Sequence, residues 1–192
     1  MRKVIYSHMV SLDGFIEVDD PNKAPDWAVS DEELTRHFID LENVIDFHLY
    51  GRRVYQHLAA GWPNADKNPS VPEYFAEYAR IWRNKPKIVF SRTLQQVEWN
   101  SRLVRDNPGD EIAKLKEEPG KDLLLFGANL ASTAMPLGLI DEYRAYVNPV
   151  VLGGGKPMFP TLDDVLRLRL AETRTFGCGV VLLRYSRKDE RQ

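Results

Sequence analysis

The sequence predicts an α/β fold: a mostly parallel central sheet covered by helices on both faces, with antiparallel strands added at its C-terminal edge. Three observations carry that prediction. Strand-like apolar runs alternate with amphipathic helical runs as far as residue 140, the order of parallel strands joined by crossover helices. Beyond residue 140 only strand-like runs occur, and the last two flank a glycine-containing turn. The first run, residues 4–10, is short, apolar and β-rich, as a buried strand is.

The elements follow in order. Residues 4–10 form the first strand, broken by the turn Ser11-Leu12-Asp13-Gly14, and residues 19–25 are a polar loop. Ser30 with Glu33 makes a capping box, in which each side chain satisfies an amide of the first helical turn. The helix behind it carries Leu34, Phe38, Leu41 and Ile45 on one stripe. Residues 47–50 are a second strand, Gly51 starts the turn after it, and residues 52–58 are the next helix. Residues 61–72 hold a glycine and three prolines, so they read as a loop. Residues 73–82 are amphipathic, with Phe75, Tyr78, Ala79 and Trp82 inward. Residues 87–90 are a third strand, ended by Ser91-Arg92-Thr93. Asn107-Pro108 supplies the N-cap and first position of a short helix through Leu115. Residues 123–126 are a central strand, and Gly127-Ala128-Asn129 turns it into a helix ending near Gly138. Residues 142–152 are a long β run broken by Gly153-Gly154-Gly155-Lys156. Residues 170–176 and 180–185 make an antiparallel hairpin around Gly177-Cys178-Gly179. Residues 1–186 read as a single domain and residues 187–192 as a charged, frayed tail.

Composition narrows the function classes. Hydrophobic residues make up 43% and charged residues 28% of the 192, ordinary values for a globular chain able to bury a substantial core. A formal net charge of -2 gives no sign of nucleic-acid or membrane-surface binding. The one cysteine, Cys178, allows no internal disulfide, which fits a reducing compartment. Residues 1–6 run straight into a strand without a signal-peptide pattern, and no stretch is apolar for the roughly 20 residues a membrane span needs. A cytoplasmic protein is therefore expected. The four histidines, His8, His37, His48 and His57, lie on separate elements without ligand spacing, so no metal site is expected.

In open α/β sheets, ligands bind beyond the carboxyl ends of the strands, and three such ends carry anion-binding chemistry. Gly51-Arg52-Arg53 places two cations at a helix N-terminus, which is already positive, an arrangement that makes sense if a phosphate occupies the site, or else both arginines simply point into solvent. Ser91-Arg92-Thr93 offers two hydroxyls and a guanidinium, suited to a 2′-phosphate, or else simply caps a loop. Gly127-Ala128-Asn129 lets a ligand approach the backbone closely, or else is a tight turn. Neither the G-x-G-x-x-G dinucleotide fingerprint nor a P-loop occurs.

Taken together the motifs resemble the reductase domain of bacterial riboflavin biosynthesis and its stand-alone relatives, which share the dihydrofolate-reductase-like three-layer fold. The matching residues are Ser11-Leu12-Asp13-Gly14, then residues 49–55, 89–94, 125–130, 138–143 and 149–159, in order along nearly the whole chain. The resemblance implies that Gly51, Arg52, Arg53 and Val54, then Ser91 and Arg92, then Gly127, Ala128, Asn129 and Leu130 bind the phosphates and ribose of NADPH. It places Val10, Asp13 and Gly14 beside the nicotinamide and implies a homodimer. Ala128 departs from the glycine or serine common in the family. One cysteine and no H-x-E motif exclude the zinc deaminase to which the riboflavin enzymes are often fused.

The function expected is an NADPH-dependent reductase of a small heterocyclic or carbonyl substrate, of the riboflavin-pathway 5-amino-6-(5-phosphoribosylamino)uracil reductase type or a relative of it. The alternative is a non-catalytic dimeric module that binds a nucleotide or flavin. Asp13 is the candidate catalytic acid, although Asp-Gly is also a common turn. Trp27 is a candidate substrate cover or else packs on the following helix, and Gly154 sits in a loop that closes on the substrate or merely connects strands.

Overall fold

The central strands divide their side chains between two faces, and that division sets the architecture. The computed structural model describes residues 1–18, 27–162 and 164–188. In it Val4 and Tyr6 of β1 (Val4–Ser11) share one core with Leu123 and Leu125 of β6 (Asp122–Phe126). Ile5 and Leu124, between them in sequence, enter the opposite core. Successive side chains of a strand alternate faces, so a continuously apolar strand must be covered on both sides.

The remaining strands of the main sheet are β3 (Ile45–Gly51), β4 (Lys87–Phe90), β5 (Ser101–Val104), β7 (Glu142–Asn148), β9 (Leu168–Thr175) and β10 (Val181–Arg187). The order across the sheet is β5-β4-β3-β6-β1-β7-β10-β9. All neighbours are parallel except those of β10, which runs antiparallel to both β7 and β9. This is the mostly parallel sheet with antiparallel C-terminal strands that the element order predicts. One face is covered by α1 (Glu32–Glu42), α2 (Arg52–Gly61) and α3 (Glu73–Asn84), through Leu41, Tyr55 and Trp82. The other is covered by α4 (Pro108–Glu117) and α5 (Ala128–Ala134), through Ile112, Leu115, Leu130 and Ala134. The connections leaving the adjacent strands β3 and β6 therefore depart on opposite faces. Their carboxyl ends flank a topological switch point, where open α/β sheets form a crevice.

Several boundaries differ from expectation for local reasons. Asp31 is the N-cap of α1, its carboxylate accepting from the Leu34 amide at 2.8 Å. Ser30 instead meets the Thr35 hydroxyl at 3.1 Å, and Glu33 turns away to accept the Gly177 amide at 3.0 Å, so the expected capping box is absent. Ile45 opens β3 rather than extending the α1 stripe. Residues 62–67 of the expected proline loop form a 3₁₀ turn. Asn107 precedes α4 in a left-handed conformation without capping it through its side chain. α5 stops at Ala134, and β7 stops at Asn148, before Pro149, which has no amide to donate to a ladder. Gly179, at φ +85°, turns the expected hairpin, its amide donating to Phe176 at 2.9 Å. Arg187 is still in β10, its amide donating to Asp141, while residues 189–192 and the polar loop 19–25 lie outside the described residues.

The edge strand β5 was not expected, since its four residues Ser-Arg-Leu-Val carry little apolar pattern. Lys87 of β4 holds it. The Lys87 ammonium is buried and donates to the carbonyls of Trp82, Lys85 and Trp99, the last two at 2.8 Å. It also lies 4.2 Å from the Trp82 ring centroid. Lys87→Met keeps the volume but leaves three carbonyls without their charged donor. A loss of about 1.5–3 kcal/mol in denaturant unfolding is expected, the scale of one such bond; unchanged stability would show that the carbonyls find other partners.

Candidate functional site

The three strand ends singled out in the sequence converge on one cleft of about 460 Å³ beyond the carboxyl ends of β3, β4, β5 and β6. Gly51, Arg52, Arg53 and Val54 line it from the start of α2, and Ser91 and Arg92 from the loop after β4. Gly127, Ala128, Asn129 and Leu130 line it from the start of α5. Among the described residues, five cationic side chains face it (Arg52, Arg53, Arg92, Arg105 and Lys156) against one carboxylate, Glu17. In a chain whose formal net charge is -2, that concentrates positive potential in a single crevice.

Each strand end has its own local chemistry. Gly51 is the N-cap of α2 and brings no side-chain cap, so the helix's first amides are left for another acceptor. Arg52 donates to the Thr93 hydroxyl at 3.0 Å, and Arg53 is exposed with no ion pair among the described residues. The Ser91 hydroxyl accepts the amides of Thr93 at 3.2 Å and Leu94 at 3.1 Å, closing a turn that aims Arg92 outward. Arg92 lies 3.3 Å from Asp106, both largely exposed. Arg105 donates to the Leu94 carbonyl at 3.0 Å, so the chain after β5 braces the turn after β4. Gly127 adopts φ +104°, strained for a residue with a side chain, and a Cβ there would meet Val54 at 3.1 Å.

Five expected site residues lie apart from this cleft lining. Val10 is buried in the core. Trp27 is half-buried and does not line the cleft. Asp13 is an acceptor rather than an acid. Its carboxylate takes the Ser11 hydroxyl at 2.6 Å, the Gly153 amide at 2.7 Å and the Leu152 amide at 3.1 Å. The Ser11 bond and the two amides hold its pKa down at about 2, so it is ionised throughout the neutral range and unsuited to donate a proton. Gly14 closes the turn, its amide donating to Ser11 at 3.0 Å and its carbonyl accepting from Met158 at 2.9 Å.

Gly154 lies in a loop outside the cleft lining, with contacts at both ends. Asp13 anchors its start, and at its end Gly155, at φ +134°, presses against the Glu17 carbonyl, which a Cβ would approach to 1.9 Å. Two short strands, β2 (Phe15–Glu17) and β8 (Lys156–Pro157), pair there as an antiparallel ribbon. The ribbon brings Ile16, Glu17 and Lys156 to the cleft, none of which the sequence marked as site residues. The only available signal was the lysine directly after three glycines; the three- and two-residue strands are too short to show a period. Of the histidines, His48 is buried between Glu42 and Tyr50, and the His8 ring accepts the Gly127 amide at 2.8 Å.

Residues 2–182 match the family model of the RibD C-terminal domain. The uncharacterized protein YyaP of Bacillus subtilis (strain 168) is 38% identical over 185 residues, covering 96% of this chain and 94% of that protein. A Shewanella sp. PV-4 protein named for riboflavin biosynthesis shares the fold with a TM-score of 0.70 at 23% identity, covering 98% of this chain and 100% of that one. Acinetobacter baumannii RibD superposes with a TM-score of 0.65 at 18% identity, over 98% of this chain but 58% of that longer one.

The Asp13 anchor has a pH signature. A carboxylate whose folded pKa lies below its unfolded value stabilises above the unfolded pKa, and that contribution is lost as pH falls through the folded pKa. For Asp13 the window runs from about 4 down to about 2. Asp13→Ala is expected to lower the melting temperature at pH 7 and to speed amide exchange at Leu152 and Gly153. The difference from native should vanish toward pH 2. A melting temperature and exchange pattern like the native protein's at pH 7 would remove the anchoring role.

Proposed function

The chain belongs to the RibD C-terminal domain family, the reductase domain of riboflavin biosynthesis, and from that premise we propose that it is an NADPH-dependent reductase of a small heterocyclic or carbonyl compound. The observation that carries this reading is the single crevice in which four arginines and a lysine meet the uncapped start of α2 at the switch point of the sheet.

The residues present fit a dinucleotide phosphate. Guanidiniums supply planar paired donors for phosphate oxygens, and Gly127, lacking a Cβ, allows backbone approach. In this reading residues 51–54 and 127–130 hold the shared part of the cofactor, and Ser91 and Arg92 meet its 2′-phosphate. Bound NADPH supplies the hydride, while the protein orients it and excludes water. The β2/β8 ribbon adds Ile16, Glu17 and Lys156 to the lining of the cleft. Asp13, ionised and bonded three times, fixes that part of the lining, and the accompanying proton comes from solvent. A non-catalytic nucleotide- or flavin-binding module is the second reading. It is favoured by the scarcity of acids on the described cleft wall, where Glu17 is the one carboxylate among the described lining residues.

The cofactor reading is tested by fluorescence titration with both nicotinamide cofactors. NADPH is expected to bind more tightly than NADH. Arg92→Ala should weaken NADPH by roughly ten- to a hundredfold, the equivalent of about 1.5–3 kcal/mol, and leave NADH nearly unchanged. Arg52→Ala should weaken both. Equal loss of the two cofactors in the Arg92 variant would reassign that arginine, and no binding of either to the native protein would sink the reading. NADPH consumption across pterin, pyrimidine and carbonyl compounds then separates a reductase from a binding module.

We propose further that the protein works as a homodimer, with the open outer side of edge strand β9 available to a second copy. Light scattering at micromolar concentration is expected to give twice the chain mass of 22.1 kDa; the chain mass itself would count against the dimer.

A further inference from the structure

One polar contact behind the cleft is not explained by packing alone. The Gly127 amide donates to Nε2 of His8 at 2.8 Å, a side chain on another strand. His8 lies on β1, the neighbour of β6, so the bond ties one strand to the turn that ends the next. Two rings hold the imidazole edge-on, Tyr6 with its centroid 5.7 Å away and Phe126 at 5.9 Å. The bond fixes the ring chemistry. A nitrogen that accepts carries no proton, so the ring is neutral and its proton sits on Nδ1. Burial pushes the pKa of His8 down to about 4, which keeps the acceptor available across the neutral range.

The consequence falls on the deepest turn of the cleft. Gly127 stands at φ +104°, next to Val54 at the start of α2, where the two strand ends of the switch point meet. Without an acceptor behind it, its amide would be an orphan donor at the edge of the core, and the peptide would be free to rotate toward the cleft. With His8 in place the Gly127 amide is turned inward, away from that rotation.

We propose that His8 is a positioning residue for the anionic cofactor: as a neutral imidazole it clamps the Gly127 peptide, and so presents the start of α5 in the one conformation that the cofactor meets. The inference rests on the NADPH reading above. His8 touches neither cofactor nor substrate, and its effect is equal for NADPH and NADH, because the turn serves the part that they share.

The test compares His8→Phe, which keeps an aromatic ring and loses the acceptor, with His8→Gln, whose side-chain carbonyl restores one. Binding of NADPH and NADH is measured by titration, and amide exchange at Gly127 is measured in the ligand-free protein. In His8→Phe, Gly127 exchange is expected to rise and both cofactors to bind about tenfold more weakly, the scale of a lost buried acceptor. His8→Gln is expected to recover most of both. The far-ultraviolet circular dichroism of all three proteins should coincide. Native-like binding by His8→Phe would overturn the proposal, as would equal losses in both variants, which indicate general packing damage. Failure of the native protein to bind either cofactor would overturn the cofactor reading itself and His8's role with it, a result distinguishable because it appears before any variant is made.

Discussion

Burial of the central strands on both faces is the constraint from which the rest of the structure follows. β1 opens with three buried apolar residues and β6 has a run of three buried leucines, so neither can lie against water on either side. Helices must cover both faces, and the connections must leave adjacent strands in opposite directions. The crevice between β3 and β6 is the geometric result. It needs no special residues to exist, only to be useful. The glycines and arginines at its rim are the chemistry placed on a gap that the sheet makes anyway.

The wall of the cleft is stiffened from behind by polar groups that the core does not tolerate singly. Glu42 of α1 accepts His48 at 2.9 and 3.0 Å, His48 meets the Tyr50 hydroxyl at 2.7 Å, and Trp82 of α3 donates to that hydroxyl at 3.0 Å. Burial pushes the Glu42 carboxyl up, but His48 and Lys85 more than offset it and hold it below its usual value. Burial also keeps the Tyr50 phenol protonated well above its normal range. Every member of the set has a partner, the condition under which a buried polar network rigidifies rather than destabilises. It joins α1, β3 and α3, and β3 is the strand that ends at Gly51, so the backbone entering the cleft is held by hydrogen bonds as well as by packing.

Much was legible in the chain because it depends on residues close in sequence. The alternation of strand-like and helical runs, the three glycine- or serine-marked strand ends and the hairpin at Gly179 each follow from local patterns. The cleft unites those three ends because parallel strands in one sheet share a carboxyl edge. What escaped was short or distant. β5 is short and carries little apolar pattern, and β2 and β8 have three and two residues, too few for a period to be read. Asp13 looked like an acid because, besides the nearby Ser11, two of its partners, the Leu152 and Gly153 amides, lie some 140 positions along the chain. Ser30 looked like a cap because Glu33 stands three residues on, but the helix starts one residue later, where Asp31 accepts the Leu34 amide.

The sequence by itself determined the layers, the strand directions and the set of glycine- and arginine-marked turns, because these depend on hydrophobic period and on the few residues able to turn a chain. Only the tertiary structure decided which polar groups are free to work. It bonded Asp13 to the start of the glycine loop, brought Glu17 and Lys156 to the cleft, and set His8 behind Gly127. The reason is physical: a hydrogen-bonding group is reactive or structural according to what lies within about 3 Å of it, and that distance is set by the fold rather than by the chain.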